Sequence, residues 1–560
     1  MRLLEILFMT LGGVWQGVRQ DFNLLEIALV LTGIVAWRRG WRPQWPALPV
    51  IRRPWPAAIA LTLGVVALRI ALLPLLPMPV PVVADEFSHS LLADTILHGR
   101  AANPTHPFWP HFESLHIIQQ PHYVSNYFPG HAIFLAAGRV LLNRPWAGVL
   151  AEDFAFLIAL FWMLRGWMPS RWALFGLLLA AVRFSIGSYW VNAYHGGFLP
   201  AAAGALVAGA FPRLRRRIIG GSLPGSAGPT LALGAGLAVL AATRPFEGFC
   251  FSLPFLAILA WELRRNIQGL LRVGLPVLLL VGVTVVALGA YCKQITGSPF
   301  ITAYNISQKT YGWPMALAWT SPAPIQHRHI EFQRYYEYEV SEREKIGGPL
   351  GFVEYLTFRL QEYWRFFLGP VLTIPLIMLG RVWRRRPMLL IGVSGGLFAV
   401  LLEGAASPHY LAPATAVIVA ILVECCRCLK RSRLPVALPA VMVLVLTLRV
   451  GAQNLGLPYT QELNYQSWCC KVRGNMNKSR IEAELKKIPG KHVVFVKSKT
   501  DVMNLYQWIY NDADIDASQI VWARDLGEDR NVKLRAYYAD RQSWLVDPNV
   551  EPASLTKPWQ

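Results

Sequence analysis

Charge is scarce in this chain. Only 16% of its 560 residues are Asp, Glu, Lys or Arg, against a 54% hydrophobic share. Soluble domains carry about a quarter charged residues, so a soluble globular enzyme is excluded as the class. Cysteine is also sparse, with seven residues at 250, 292, 425, 426, 428, 469 and 470. The count is odd and no pair of CxxC motifs stands where it could hold zinc, so neither a zinc site nor a disulfide framework is expected. Cys425, Cys426 and Cys428 close an apolar run and read as packing residues. No H-E-x-x-H occurs, no glycine-rich loop opens a helix to cradle a nucleotide phosphate, and no internal repeat is visible. Acidic residues are few beside basic ones, for a net charge of +21. That surplus does not mark a nucleic-acid binder, because the Arg clusters fall between hydrophobic runs rather than on one basic-aromatic stripe. Glu5 interrupts the first apolar stretch and no small-residue cleavage site follows, so no cleaved signal peptide is expected.

Long apolar runs are abundant. Residues 22–37, 55–76, 146–164, 172–190, 197–211, 231–242, 249–263, 273–291, 366–379, 388–402, 411–428 and 436–450 have helical length and composition, and 3–18 is a shorter candidate. The fold class is a polytopic α-helical membrane protein of about 11–13 helices with a small C-terminal α/β domain. Residues 1–54 form an N-terminal membrane segment with a basic linker. Residues 55–451 form the bundle, with external polar loops at 78–131 and 292–362, and 452–560 form an external α/β domain. Residues 132–142 carry Arg139 and end at Asn143-Arg-Pro145, as an interfacial helix would. In the C-terminal region, 479–487 and 531–539 read as helices, the first capped by Ser479, and 492–496, 520–523 and 543–546 as strands.

Placing the basic connections (38–53, Arg165 with Arg171, 213–217, 264–272, 381–386 and 430–433) in the cytoplasm gives a regular alternation from the second helix onward. The other connections then lie outside, including 82–130, Asn192 to His195, Arg244 to Glu247, 293–362 and Ser407 to Tyr410. Nearly every polar constellation therefore falls on one face. A transporter would instead place ionisable groups near the midplane; Arg69, Arg183 and Glu403 are the visible candidates for that.

The densest constellation is 82–130. It holds Asp85, Glu86, His89, His106, His111, Glu113, His116, Gln119, Gln120, His122, Tyr123 and Tyr127. A carboxylate at an interface can act as a general base, its pKa raised by partial burial, or can bind a divalent metal. It can equally serve a helix N-terminus through the dipole. Glu113 and His116 could share a helical face and a metal, although hydrogen bonding is the commoner role for loop histidines. Arg244 and Glu247, with His195, His409 and Tyr410, sit at helix ends on the same face, where a cation could hold a phosphate or simply pair with Glu247. Tyr304, Lys309, Tyr311, Arg328 and Arg334 are further groups in the long loop.

Asp85-Glu86 opening the first external loop, the interfacial helices after it, and a multi-helix body with a soluble C-terminal domain resemble the GT-C superfamily of membrane glycosyltransferases. Within it the pattern is similar to the protein O-mannosyltransferase and aminoarabinose transferase group, glycosyltransferase family 39. The resemblance implies transfer of a sugar from a polyprenyl-phosphate donor to an acceptor lipid, glycan or protein, at the periplasmic face of a bacterial inner membrane. It implies Asp85 as the base that activates the acceptor, with Glu86 supporting it. Where aminoarabinose transferases carry Lys-Pro-Pro, this chain has Gln119-Gln120-Pro121 without the cation, which moves the expected donor-phosphate contact to Arg244 and His409. No nucleic acid is expected as a partner. A lipid or glycan transporter or flippase, and a non-catalytic scaffold, are the competing classes.

Overall fold

The computed structural model describes residues 23–41, 52–221, 226–315, 317, 321–404, 407–430, 434–457, 466–470, 474–498 and 508–556. The apolar stretch 3–18, most of the basic linker 38–53 and the basic residues Arg431 and Arg433 lie outside the described residues.

The chain runs through α1 (Asn23–Arg38), α2 (Pro54–Ala71), α3 (Ala84–Leu97) and a two-stranded hairpin, β1 (Ile117–Ile118) with β2 (Val124–Ser125). Next come α4 (Pro129–Leu142), α5 (Trp146–Trp167), α6 (Ser170–Phe184), α7 (Phe198–Ile219), α8 (Ala227–Ala241), α9 (Pro245–Leu263) and α10 (Ile267–Thr296). The long polar loop contains α11 (Ala303–Tyr311), α12 (Ile330–Lys345) and α13 (Gly348–Phe367). Then follow α14 (Gly369–Thr373), α15 (Leu379–Arg385), α16 (Pro387–Leu402), α17 (Thr415–Cys428) and α18 (Ala437–Asn454). The C-terminal region comprises α19 (Met476–Leu485), β3 (Lys491–Val496), β4 (Ile520–Arg524), α20 (Glu528–Tyr537), β5 (Arg541–Asp547) and β6 (Ser554–Thr556).

Among the described residues six stretches are long and apolar enough to cross a membrane: α2, α5, α9, α10, α18 and Pro408–Cys428, a 3-10 turn running into α17. α13 with the segment after it would make a seventh, bent by 95°, and α1, α4, α8 and α16 are shorter apolar helices. The protein is a multi-pass helical membrane protein. Proline opens α2, α9 and α16, where its fixed φ suits the first turn and its missing N–H costs nothing. α10 spans 30 residues and leaves Leu278 69% and Val286 73% exposed. An apolar face that open on a helix this long is a lipid-facing surface.

The core lies where α5, α6, α7 and α17 meet, and Phe156, Phe161, Phe198, Phe211 and Val423 are wholly or almost wholly buried there. Gly204 on α7 lies against the carbonyl of Pro413, so close that a Cβ would stand 1.9 Å from it. That contact seats the turn carrying His409 and Tyr410 on the bundle. The apolar run 366–379 is not one helix. Gly369 takes φ +62 and is followed by Pro370, which breaks the chain into α13, α14, a 3-10 turn and α15.

β3 is central in a sheet ordered β4-β3-β5-β6, parallel to β4 and β5, with β6 antiparallel at the edge. α19 starts three residues before the expected cap: Asn475, not Ser479, caps it, accepting from the Lys478 N–H at 3.0 Å. One sheet face packs on α19 through Ile481, Leu485, Val494 and Trp522. The other packs Val493, Phe495, Val521 and Ala523 against Leu91, Phe112, Ile117 and Tyr123 of the first loop. Cys469 and Cys470 are joined to each other, a disulfide that closes no loop. Cys425 and Cys426 are buried packing residues.

Candidate active site

The site begins at the first turn of α3. Asp85 and Glu86 are neighbours in sequence, so on a helix their side chains leave about 100° apart. Glu86 turns inward and is fully buried. Its carboxylate accepts from the backbone N–H groups of Val82 at 2.8 Å, Val83 at 3.3 Å and Tyr194 at 2.8 Å. It caps the helix and ties the 194 segment to it, which fixes the turn that carries Asp85. Asp85 faces the other way with its side chain 27% exposed.

Around Asp85 stand groups from several parts of the chain. Tyr127 donates its phenol to Asp85 Oδ1. His116 Nε2 lies 3.9 Å from Asp85 Oδ2, and the His116 ring stacks on Trp313 at 4.7 Å. His89 stacks on Tyr127 at 4.4 Å and meets His131 edge-on at 4.9 Å. His131 is held by Glu152 on α5 at 2.8 Å and by the Tyr194 carbonyl at 3.1 Å. Burial alone would raise the Asp85 pKa. His116, His195 and the Tyr127 hydrogen bond outweigh it, and the net shift is downward. The expectation of a raised pKa is therefore corrected: Asp85 is an ionised carboxylate. Burial, then His131 and Arg244, push His89 well below the usual histidine range, so its ring is neutral. Burial and the Asp85 charge hold Tyr127 protonated.

The cationic side is built by the start of α9. Arg244 pairs with Glu247 at 3.3 Å and lies over the Tyr410 ring at 4.7 Å. Burial works against its charge, but Glu247, Tyr410, Tyr127 and Glu403 outweigh that and hold it protonated. The N–H of Gly130 donates to the Ala242 carbonyl at 3.0 Å, which brings the start of α4 beside Arg244. His409 meets the Tyr189 hydroxyl at 3.1 Å and stacks on His195 at 5.0 Å. Burial and neighbouring Glu247 push Glu403 well above the usual carboxylate range. The structure thus brings together Asp85, His116, Tyr127, His195, Arg244, Glu247, His409 and Tyr410.

The remaining predicted residues lie elsewhere. Tyr123 is buried and donates to the Asn511 carbonyl at 2.8 Å, inside the contact with the sheet region. Gln119 is buried and braces its own loop by donating to Phe112 O at 2.9 Å, while Gln120 is exposed. Glu113 forms a separate clasp. It accepts from Tyr311 at 3.0 Å, meets His329 at 2.8 Å and Arg328 at 3.6 Å, and its backbone carbonyl accepts from Arg524 at 3.1 Å. Glu113 and His116 share no helical face: the segment between the 3-10 turn at Trp109–His111 and the hairpin is irregular, and His116 has φ +57. Tyr123, Gln119 and Glu113 are taken up by the loop's own bracing, because a polar loop must bond its own backbone and its docking partners before it can serve a substrate.

Sequence reasoning singled out neither Asn126 nor Glu339. Asn126 is 5% exposed, and among the described residues neither polar atom of its amide has a hydrogen-bond partner. Glu339 on α12 is pushed up to about 7 by burial. Nothing in their local sequence distinguishes them from other loop residues. Among the described residues no three His, Cys, Asp or Glu side chains gather to hold a metal ion. Asp85 is engaged by a phenol and by imidazoles that are themselves stacked, a set unlike the oxygen cage a hard divalent cation takes. The residues present do not fit a divalent metal.

No family model and no curated protein matches this chain. Among solved structures it is similar to an oligosaccharyltransferase of Archaeoglobus fulgidus, at 12% identity over 88% of this chain and 67% of that one, with a TM-score of 0.49. It is also similar to ArnT from Cupriavidus metallidurans in the apo state, at 14% identity over 88% and 93% of the two chains and a TM-score of 0.47. The undecaprenyl-phosphate-bound form of ArnT gives 12% identity, 88% and 92% coverage and a TM-score of 0.45.

Proposed function

We propose that this protein is a membrane glycosyltransferase that moves a sugar from a polyprenyl-phosphate donor to a hydroxyl of an acceptor lipid, glycan or protein. The observation that supports this reading is the pairing of an ionised carboxylate, Asp85, with a held cation, Arg244, across Tyr127, at the ends of apolar helices. Arg244 would take the donor phosphate, alongside His409, and stabilise the charge that grows on it as the sugar leaves. Asp85 would orient and polarise the acceptor hydroxyl. A lipid-borne donor gives a reason for such a site to stand at the rim of a helical bundle. With the Arg-rich connections in the cytoplasm, the rim faces the periplasm of a bacterial inner membrane.

One observation favours a transporter instead. Glu26 and Arg449 form a buried pair at 3.3 Å, and Arg183 and Arg449 flank Trp468 at 4.3 and 4.7 Å. These charges are spent on backbone: Arg183 donates to Phe366 O and Arg365 O, and Arg449 to Cys469 O. That is how a bundle anchors its chain reversals, and it lines no path. The test is mass spectrometry of lipids, glycans and secreted proteins from cells carrying wild type, no protein, or Asp85→Asn. Loss of one hexose or pentose from a single acceptor class in both deficient strains supports the transferase. Unchanged glycosylation with a redistributed lipid-linked sugar supports transport.

A further inference from the structure

At the end of the bundle away from Asp85, arginines gather with almost no acid among them. From Arg244 to Arg264 along α9, and from His195 to Arg213 along α7, the chain covers about 25–30 Å of helix, close to the thickness of a bilayer's hydrocarbon core. The stretches 165–171, 213–217 and 262–272 hold nine arginines and one acid, Glu262. Side chains join them. Arg215 of α7 pairs with Glu262 of α9 at 2.6 Å. Gly166 near the end of α5 lies against α7, and a Cβ there would stand 2.4 Å from Arg213 Nη1. Arg213 itself is fixed. Its two Nη groups donate to the Gly209 carbonyl at 2.7 Å and the Trp162 carbonyl at 2.6 Å, and its guanidinium lies over the Trp162 ring at 4.0 Å. Arg165 and Arg216 stand close enough to Arg213 for their charges to repel it. Glu262 is spent on Arg215, and among the described residues neither Arg165 nor Arg216 pairs with an acid. Like charges held together cost free energy until an anion joins them. A second observation sets the depth. Trp261 is 65% exposed with the Arg264 guanidinium over its ring at 3.5 Å, and Ile219, Ile267 and Leu271 are exposed on the adjoining turns. An open tryptophan at the end of an apolar helix belongs to the belt where lipid headgroups begin.

We propose that the joined ends of α5, α7 and α9 bind an anionic phospholipid of the leaflet away from Asp85. Its phosphate sits on Arg165 and Arg216 beside the fixed Arg213, and its acyl chains lie on the open apolar turns. Guanidinium forks match phosphate oxygens in geometry as well as charge. A zwitterionic headgroup brings no net charge and leaves the repulsion uncompensated. The preference of cytoplasmic connections for basic residues accounts for arginines on this face, but not for three of them crowding on one fixed guanidinium. The site needs only that the helices cross a membrane, so it stands whether or not the protein transfers sugar.

The experiment uses the full chain, stripped of lipid in a neutral detergent and titrated with phosphatidylglycerol or phosphatidylcholine while native mass spectrometry counts the lipids bound. Wild type should take phosphatidylglycerol at least about tenfold more tightly than phosphatidylcholine. In Arg165→Gln/Arg216→Gln that binding should weaken by roughly 30-fold, and in Arg216→Gln, where the side chain is exposed, by roughly fivefold. Arg381→Gln/Arg384→Gln removes the same charge from another basic connection and should stay within about twofold of wild type. Equal affinity for the two lipids, or an equal loss in Arg381→Gln/Arg384→Gln, overturns the proposal and leaves only the general attraction of a basic face for an anionic membrane. Displacement of the lipid by an equal concentration of inorganic phosphate also overturns it, since the ligand is then a free anion. If the Arg165→Gln/Arg216→Gln chain does not fold, Arg216→Gln decides, and unchanged affinity there overturns the proposal.

Discussion

Replacing Arg244 by Gln tests the cationic half of the site, and the structure gives two separable costs. The first is structural. Arg244 and Glu247 are 16% and 7% exposed in their side chains and 3.3 Å apart. Removing one partner of a buried pair leaves the other charge uncompensated and costs about 3–5 kcal/mol, less here because the pair is not wholly dry. The second is functional. A hydrogen bond from a guanidinium to a phosphate contributes about 1.5–3 kcal/mol, which is roughly 10- to 150-fold in kcat/KM. The double variant Arg244→Gln/Glu247→Gln separates the two. It removes the stranded carboxylate and keeps two amides that can bond each other, so thermal stability in detergent should return to within about 1 kcal/mol of wild type. Sugar transfer should stay depressed by the phosphate component alone. If the double variant transfers sugar at the wild-type rate, Arg244 serves only to neutralise Glu247 and the donor phosphate binds elsewhere.

Asp85→Asn should abolish transfer while the chain still folds, since Glu86 and not Asp85 holds the start of α3; failure to fold would instead make Asp85 structural. The pH dependence has a definite sign. The folded pKa of Asp85 is depressed, so its stabilising contribution is fully present above the unfolded value of about 3.9 and is lost only as pH falls through the lower folded value. Thermal melts of wild type and Asp85→Asn should therefore differ by a constant amount from neutral pH down to about 4 and converge below it. Gly196 has φ +72, and a Cβ there would stand 2.7 Å from the His131 ring. Gly196→Ala should cost roughly 2–5 kcal/mol by backbone strain plus overpacking, read as a lower melting temperature. Arg524 joins Glu331 at 2.7 Å to the Glu113 carbonyl, so Arg524→Ala should speed limited proteolysis between the bundle and the sheet region before it affects the bundle itself.

The apolar runs marked the helices because a span needs many consecutive apolar residues, and the strands showed because β3 is apolar on both faces. The run at 366–379 misled, since composition alone does not register the turn that Gly369-Pro370 forces. The site was half legible. Asp85, Tyr127, Arg244, His409 and Tyr410 stand out as polar residues at the ends of apolar runs, and the fold gathers them. Tyr123, Gln119 and Glu113 share the same composition and neighbourhood, yet bond the loop's own backbone or the sheet region. Nothing in a linear pattern separates a side chain that faces a cavity from one that faces a docking partner one strand residue away. The same blindness explains Glu86: i and i+1 look equivalent in sequence and are about 100° apart on the helix. The buried Glu26, Glu152 and Asp153 were read as parts of ordinary apolar helices, because their partners, Arg449, His131 and Ser185, are distant in the chain.

The sheet region gains its place in this scheme from what the first loop lacks. Between α3 and α4 the loop has only two strands of two residues and a single 3-10 turn, too little regular structure to hold a strained His116 against Asp85. Its apolar side chains Phe112, Ile117 and Tyr123 find their core with Val493, Phe495 and Val521, not with the bundle. Asp94 of α3 accepts from the Ala513 N–H at 2.8 Å while pairing with Arg139 of α4 at 2.7 Å, and buried Lys478 lies 5.0 Å from the Phe87 ring. Each of these contacts fixes α3 or the loop from the side opposite Asp85. A helix and a loop clamped on one side by a sheet and on the other by α4 and α5 can present a carboxylate and an imidazole at a fixed separation. The geometry of Asp85 and His116 is therefore a property of the bundle and the sheet region together, and neither alone contains the contacts that produce it.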